Sequence, residues 1–298
     1  MALPTSGEIS FADILSEMGL SGQADLRAMS LNDGLFVPDS ISEFYGYAGA
    51  DLSTGLIGYY ALEETGAADF AYTSRGTING STNFSSIGYP GGGPGGFVAP
   101  TRNITGKKNK GYQFSNNPST GIKFGTSDYN FASGSFAISM WINCSTNIGQ
   151  QTMFSRYAAS GARGYAMYML PSPSTGDVGF QVWGSDSYQV TIRNSGASGA
   201  VASNTWTHLL FNKDASIMTI YVNDVSKATT SIAPGVNQSI SPNTFLGALG
   251  KSNAQPDFPF KGLMDEIAIW DHGLSESQIA YVYKGGEGRF FTAGGGFA

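Results

Sequence analysis

A chain of 298 residues with 41 glycines, 13% aromatic and only 13% charged residues suits many short strands joined by Gly, Asn and Ser turns, not a helical bundle. A net charge of −6, with no basic run beyond Lys107-Lys108-Asn-Lys110, excludes the concentrated basic face that nucleic-acid binding needs. The single cysteine, Cys144, excludes an intrachain disulfide, and no apolar stretch approaches the ~20 residues of a membrane span.

Residues 1–50 differ from the rest. Gly7-Glu-Ile-Ser-Phe-Ala-Asp13 and Arg27-Ala-Met-Ser-Leu-Asn-Asp33 form a loose repeat, and Ser10/Asp13, Ser30/Asp33 and Ser40/Glu43 each read as a helix start. The first helix would carry Phe11, Ile14, Leu15 and Met18 on one face and stop at Gly19. Units this short are not stable alone in water, so they must pack on one another, on the following domain or on a partner. Tyr45-Gly-Tyr-Ala-Gly-Ala50 reads as a joint.

After the joint, Gly55-Leu-Ile-Gly-Tyr-Tyr-Ala-Leu-Glu-Glu-Thr-Gly66 is a strand running into a turn. Residues 69–111 are rich in turn residues, and Gly88-Tyr-Pro-Gly-Gly-Gly-Pro-Gly-Gly96 reads as an exposed loop. From there strands recur: Gly111–Phe114, Gly121–Phe124, Ser135–Ile142, Gln151–Ser155, Tyr165–Leu170, Val178–Trp183, Tyr188–Ile192, Trp206–Phe211, Ile217–Asn223 and Phe245–Gly250. Cys144 falls at the end of the apolar run that starts at Phe136, as a buried strand thiol would. In the last strand Met264, Glu266, Ala268 and Trp270 alternate with Asp265, Ile267, Ile269 and Asp271. Ser275-Glu-Ser-Gln278 then forms a capping box that opens a helical turn through Ile279, Val282 and Tyr283, ending at Gly285-Gly286. Turn signals about every ten residues indicate a two-sheet sandwich.

Three elements carry a family resemblance. They are the closing run Gly262-Leu-Met-Asp-Glu-Ile-Ala-Ile-Trp-Asp271 with its capped helix, the strand Phe136-Ala-Ile-Ser-Met-Trp-Ile142, and the pair Trp206-Thr-His208 with Ile220-Tyr-Val-Asn223. In these the chain resembles laminin-G-like domains, also called concanavalin-A-like lectin/glucanase domains. The resemblance implies a mainly β, two-sheet antiparallel jelly roll over residues 55–285, preceded by a small helical anchor at 1–50 and followed by a Gly-rich tail at 286–298. The leader, from Met1-Ala-Leu-Pro-Thr-Ser-Gly-Glu-Ile-Ser-Phe-Ala-Asp-Ile14 through Met29–Asp33 to Ile41–Gly49, resembles that of bacteriophage tail, fibre and accessory virion proteins.

What the two resemblances imply is a virion structural protein: a fibre, spike or decoration. Ile9, Phe11, Ile14, Leu15, Met29, Leu31, Ile41, Phe44 and Tyr45 would dock it onto capsid, neck or tail proteins. Phage appendages of this kind are usually symmetric, so a homotrimer is expected. The competing reading of residues 1–50 is a helical cap on the β domain. Met1 opens no positively charged, apolar signal segment, which fits synthesis in a host cytoplasm and assembly into the virion. The alternative is a non-viral carbohydrate-binding or adhesion module, with a glycoside hydrolase third.

Glucanases of this superfamily place three carboxylates at alternate positions of one strand, because one group cannot be both nucleophile and acid. The nearest stretch, Glu266-Ile-Ala-Ile-Trp-Asp271, has Ala268 in the middle place and lies in the closing strand, so no catalytic residues are expected. His208 and His272 lack a nucleophile elbow beside them and read as packed or exposed side chains. The family resemblance implies a structural Ca²⁺ on Asp265 with Asp69 and Glu63; the competing reading is a surface salt bridge. For sugar, Trp183, Tyr188, Tyr157 and Tyr168 are the stacking candidates, beside Asp186 or Asn194. Against this stands the ordinary role of strand aromatics as core.

Overall fold

The computed structural model describes residues 52–62, 71–73, 76–78, 100–115, 121–124, 129–144, 149–158, 163–170, 176–183, 189–193, 201–233, 244–249, 258–291 and 297. The chain divides into two compact units, residues 56–273 and a second made of residues 1–55 with 274–298. The leader, with its nine docking candidates Ile9, Phe11, Ile14, Leu15, Met29, Leu31, Ile41, Phe44 and Tyr45, lies outside the described residues, as does the Gly-rich run 88–96.

In the first unit the strands are β1 (Leu56–Tyr60), β2 (Ala71–Thr73), β3 (Gly76–Ile78), β4 (Thr101–Thr105), β5 (Lys110–Phe114), β6 (Ile122–Lys123), β7 (Phe136–Cys144) and β8 (Gln151–Ala158). They continue with β9 (Arg163–Met169), β10 (Val178–Trp183), β11 (Gln189–Arg193), β12 (Trp206–Asp214), β13 (Ile217–Val222), β14 (Val225–Ser231), β15 (Thr244–Leu246) and β16 (Gly262–Trp270). They form two antiparallel sheets. One runs β14-β13-β12-β7-β16-β1-β2-β3, with the β4–β5 hairpin joined to β16 through β5; the other runs β11-β10-β9-β8-β15-β6. The mainly β, two-sheet antiparallel sandwich expected from the sequence is therefore the fold.

The core lies between the sheets because alternate residues of each strand face it. Phe136, Ile138, Met140 and Ile142 of β7 meet Tyr165, Met167 and Met169 of β9 and Phe180 and Val182 of β10 in one apolar cluster. Aromatic packing is dense there: Phe136 stands 5.0 Å from Tyr165 and 5.8 Å from Phe180, ring centre to ring centre. Cys144 belongs to the same buried cluster.

Two expectations are corrected. Residues 69–111 hold β2, β3 and β4, where the sequence suggests turns; β4 is Thr-Arg-Asn-Ile-Thr, exposed and half-buried by turns, so it carries no apolar run to announce it. β14, Val225-Ser-Lys-Ala-Thr-Thr-Ser231, is missed for the same reason. It ends the sheet order, and a polar edge strand with a lysine is how a sheet edge is kept from pairing with other chains.

The second correction concerns the alternation in β16, which breaks. The register against β7 runs Asp265 to Trp141 and then jumps to Ala268 opposite Ser139, a β-bulge. Glu266 sits at its centre with φ +51°. The extra residue lets Met264, Ile267 and Ile269 all join the core, so Glu266 does not share a face with Met264.

In the second unit, α1 (Glu276–Tyr283) begins with the expected capping box: Ser275 accepts from the Gln278 N–H, and the Gln278 side chain accepts from the Ser275 N–H. Lys284 takes the left-handed conformation that ends it. The Arg289 guanidinium lies 3.8 Å from the centre of the Tyr281 ring. Phe291 and Phe297 of the tail form a β-bridge with their rings 5.3 Å apart.

Candidate carbohydrate-binding face

On the six-stranded sheet the residues that alternate with the core set form a second, outward cluster of Ala166, Tyr168, Trp183 and Leu249, with Tyr157 and Leu170 packed on it. Register explains how. Tyr157 of β8 pairs with Gly164 of β9, and Gly164 pairs with Trp183 of β10. The glycine between them has no side chain, so the two rings close to 4.7 Å at 47°. Tyr168 pairs with Gly179, and its ring lies across that residue: a Cβ on Gly179 would fall 2.3 Å from it. Gln181, between these rows, pairs with Ala166 and is buried.

The structure thus brings together three of the four stacking candidates, Tyr157, Tyr168 and Trp183. Tyr188, Asp186 and Asn194 lie outside the described residues. Trp183 is 9% exposed and Tyr168 3%, so most of each ring packs within the face and Tyr157 is its more open member. Tyr157 is therefore the ring of this cluster with surface left to offer a ligand, and Trp183 and Tyr168 support it from beneath. Glycines 164 and 179 were the overlooked signal: each stands where a neighbouring strand carries an aromatic residue.

The outer side of the other sheet carries the titratable groups. Asp265 is fully buried. Its Oδ2 accepts the backbone N–H groups of Lys107 (2.8 Å) and Lys108 (3.0 Å), and its Oδ1 accepts that of Glu266 (3.0 Å). The Lys107 ammonium stands 4.2 Å from the ring centre of Trp141, which pairs with Asp265. Calcium takes six to eight oxygens at ~2.3–2.6 Å. Asp69 and Glu63 lie outside the described residues, and no cluster of three His, Cys, Asp or Glu side chains suited to a metal occurs among the described ones. What the described residues place around Asp265 is a set of backbone N–H donors.

Glu266 is buried and accepts a hydrogen bond from the Tyr59 hydroxyl; burial holds its carboxyl well above the ordinary carboxylate range. Asp271, the other acid of the glucanase-like spacing, is exposed and lies 3.4 Å from His272. His208 is buried against Trp141, with its Nε2 2.7 Å from the Ser139 hydroxyl. Burial, and next the Lys107 charge, push its pKa down to about 3, so its ring is neutral at physiological pH.

No curated protein matches the sequence. Among solved structures the chain is similar to the binding domain of Paraclostridial mosquitocidal protein 1, with 15% identity, TM-score 0.55, and coverage of 78% of this chain and 52% of that one. It is similar also to domain 4 of AbnA, a GH43 extracellular arabinanase from Geobacillus stearothermophilus, solved with arabinotriose (22% identity, TM-score 0.47, covering 60% of this chain and 79% of that one). A third is the CBM40 of a Ruminococcus gnavus IT-sialidase bound to alpha2,3 sialyllactose (15% identity, TM-score 0.47, 58% and 96%). At such identities the likeness is one of fold. A family profile matches residues 114–280, more than half of the chain, and the protein belongs to that family, Laminin_G_3 of the Concanavalin A-like lectin/glucanases superfamily.

Proposed function

We propose that this protein is a bacteriophage virion component, a fibre, spike or decoration, that docks through residues 1–50 and displays its jelly roll to bind glycan on the host surface. The observation that carries the binding half is the Tyr157–Gly164–Trp183 row, where a glycine lets two rings from strands two apart meet on the outer face. The docking half rests on the leader, whose opening and spaced Ser/Asp units resemble those of virion proteins. Short capped helices without a core of their own suit a segment that folds against a partner. In this reading the protein is made in the host cytoplasm, assembles as a homotrimer on capsid, neck or tail proteins, and acts by binding without catalysis.

Mass spectrometry and immunogold labelling of purified particles test the docking half; stoichiometric labelling at one location is the expected result. Absence from particles removes the virion reading and leaves an adhesion module. A glycan array with the full chain tests the other half: binding that Tyr157→Ala weakens at least tenfold supports it, and an array without any signal refutes it.

A further inference from the structure

We infer that the backbone of the β4–β5 hairpin, and not a metal ion, compensates the buried charge of Asp265. A buried carboxylate must be compensated by a cation or by hydrogen-bond donors. Here three N–H groups converge on it, two on Oδ2 and one on Oδ1. Successive amides, Lys107 and Lys108, point at one oxygen, the arrangement of an anion-binding nest. An N–H dipole directed at an oxygen presents its positive end where a cation would sit, so on Oδ2 the loop and a metal exclude one another.

The hairpin is shaped for this contact. Gly106 packs so closely that a Cβ there would fall 2.4 Å from Asp265 Oδ2 and 2.4 Å from the Lys110 carbonyl oxygen. Gly111, across the turn, would bring a Cβ 3.1 Å from the Met264 carbonyl oxygen and 3.5 Å from Asp265 Cγ. The turn closes with the Gly106 N–H donating to the Asn109 carbonyl at 3.2 Å, and Asn109 takes φ +43°. Glycine at both hairpin shoulders therefore lets the backbone itself reach the carboxylate. Lys107 then adds its ammonium over Trp141, next to Asp265 across the sheet.

The test is thermal unfolding of the full chain in EDTA and in millimolar Ca²⁺, for wild type and Asp265→Asn. A calcium site at a hundredfold excess over its Kd would raise Tm by about 5–10 °C. We expect equal midpoints in the two buffers for wild type, and an Asp265→Asn midpoint lowered equally in both. A calcium-dependent rise in wild type that Asp265→Asn abolishes overturns the inference. A rise present in both proteins places calcium elsewhere and leaves Asp265 with its amides. Should Asp265→Asn not fold, amide hydrogen exchange on wild type decides. Lys107 and Lys108 amides protected equally in EDTA and calcium support the inference, and protection that appears only with calcium overturns it.

Discussion

Lys213 gives the sharpest test of how the turns at one end of the sandwich are held. It ends the inward-facing row of β12 that includes Leu209 and Phe211, pairs with Phe136 and Met218, and is 1% exposed. Its ammonium donates to three carbonyls: Ser133 at 3.2 Å, Gly134 at 2.8 Å and Ala215 at 3.3 Å. The first two lie in the turn before β7 and the third in the β12–β13 turn. Lys213→Met keeps most of the stem's volume and removes the charge and all three donors. Hydrogen bonds to a charged group contribute about 1.5–3 kcal/mol each, while taking an ammonium out of water costs several kcal/mol in return. The balance is a loss of about 2–4 kcal/mol on substitution. For a unit of the size of residues 56–273 that lowers Tm by about 4–16 °C.

The assay is urea or thermal unfolding at neutral pH, with an unchanged m-value to show that the unfolded state is the same. Burial lowers the Lys213 pKa, partly offset by the Asp214 charge. The folded protein therefore releases this proton first, and wild-type stability rises with pH through the alkaline window below the ordinary lysine pKa; Lys213→Met lacks that rise. A Lys213→Met protein as stable as wild type would refute the reasoning, because desolvation would then cancel all three bonds.

Further outcomes follow from the same geometry. The raised Glu266 pKa makes its contribution full below the unfolded value of about 4.3 and lost as pH rises through the folded one. Glu266→Gln should flatten that part of the stability–pH curve, and an unchanged curve would count against a buried, protonated Glu266. His208 acts in the opposite sense: its contribution is full above about 6.5 and lost as pH falls toward about 3. Its imidazole NMR signals should stay those of the neutral ring from pH 7 down to 4, and titration near 6.5 would contradict its burial. Gly179→Ala places a Cβ 2.3 Å from the Tyr168 ring and should destabilise by about 1–3 kcal/mol, read as a lower urea midpoint; a neutral result would mean that the Tyr168 ring moves freely.

The sequence by itself determined the strand-rich class, most of the strands, the capping box and the family. Each of these rests on local pattern: alternation in Phe136–Cys144, Ser275 three residues before Gln278, and turn residues at regular spacing. Polar strands escaped, since β4 and β14 lie half in water and lack the apolar alternation by which a strand is recognised. The bulge at Glu266 escaped as well. Periodicity cannot register one extra residue, yet that residue decides which side chains face the core.

The candidate sites divide the same way. Tyr157 and Trp183 could be named as aromatics, but only pairing through Gly164 puts their rings 4.7 Å apart on one face. Asp265 could be named through the family resemblance of the closing strand, whereas its partners lie 157 and 158 residues away, on a hairpin whose amides carry no side-chain signature. Local pattern specifies elements. Tertiary structure chose what lies against them, because strand pairing joins segments far apart in the chain and backbone donors are common to nearly every residue type.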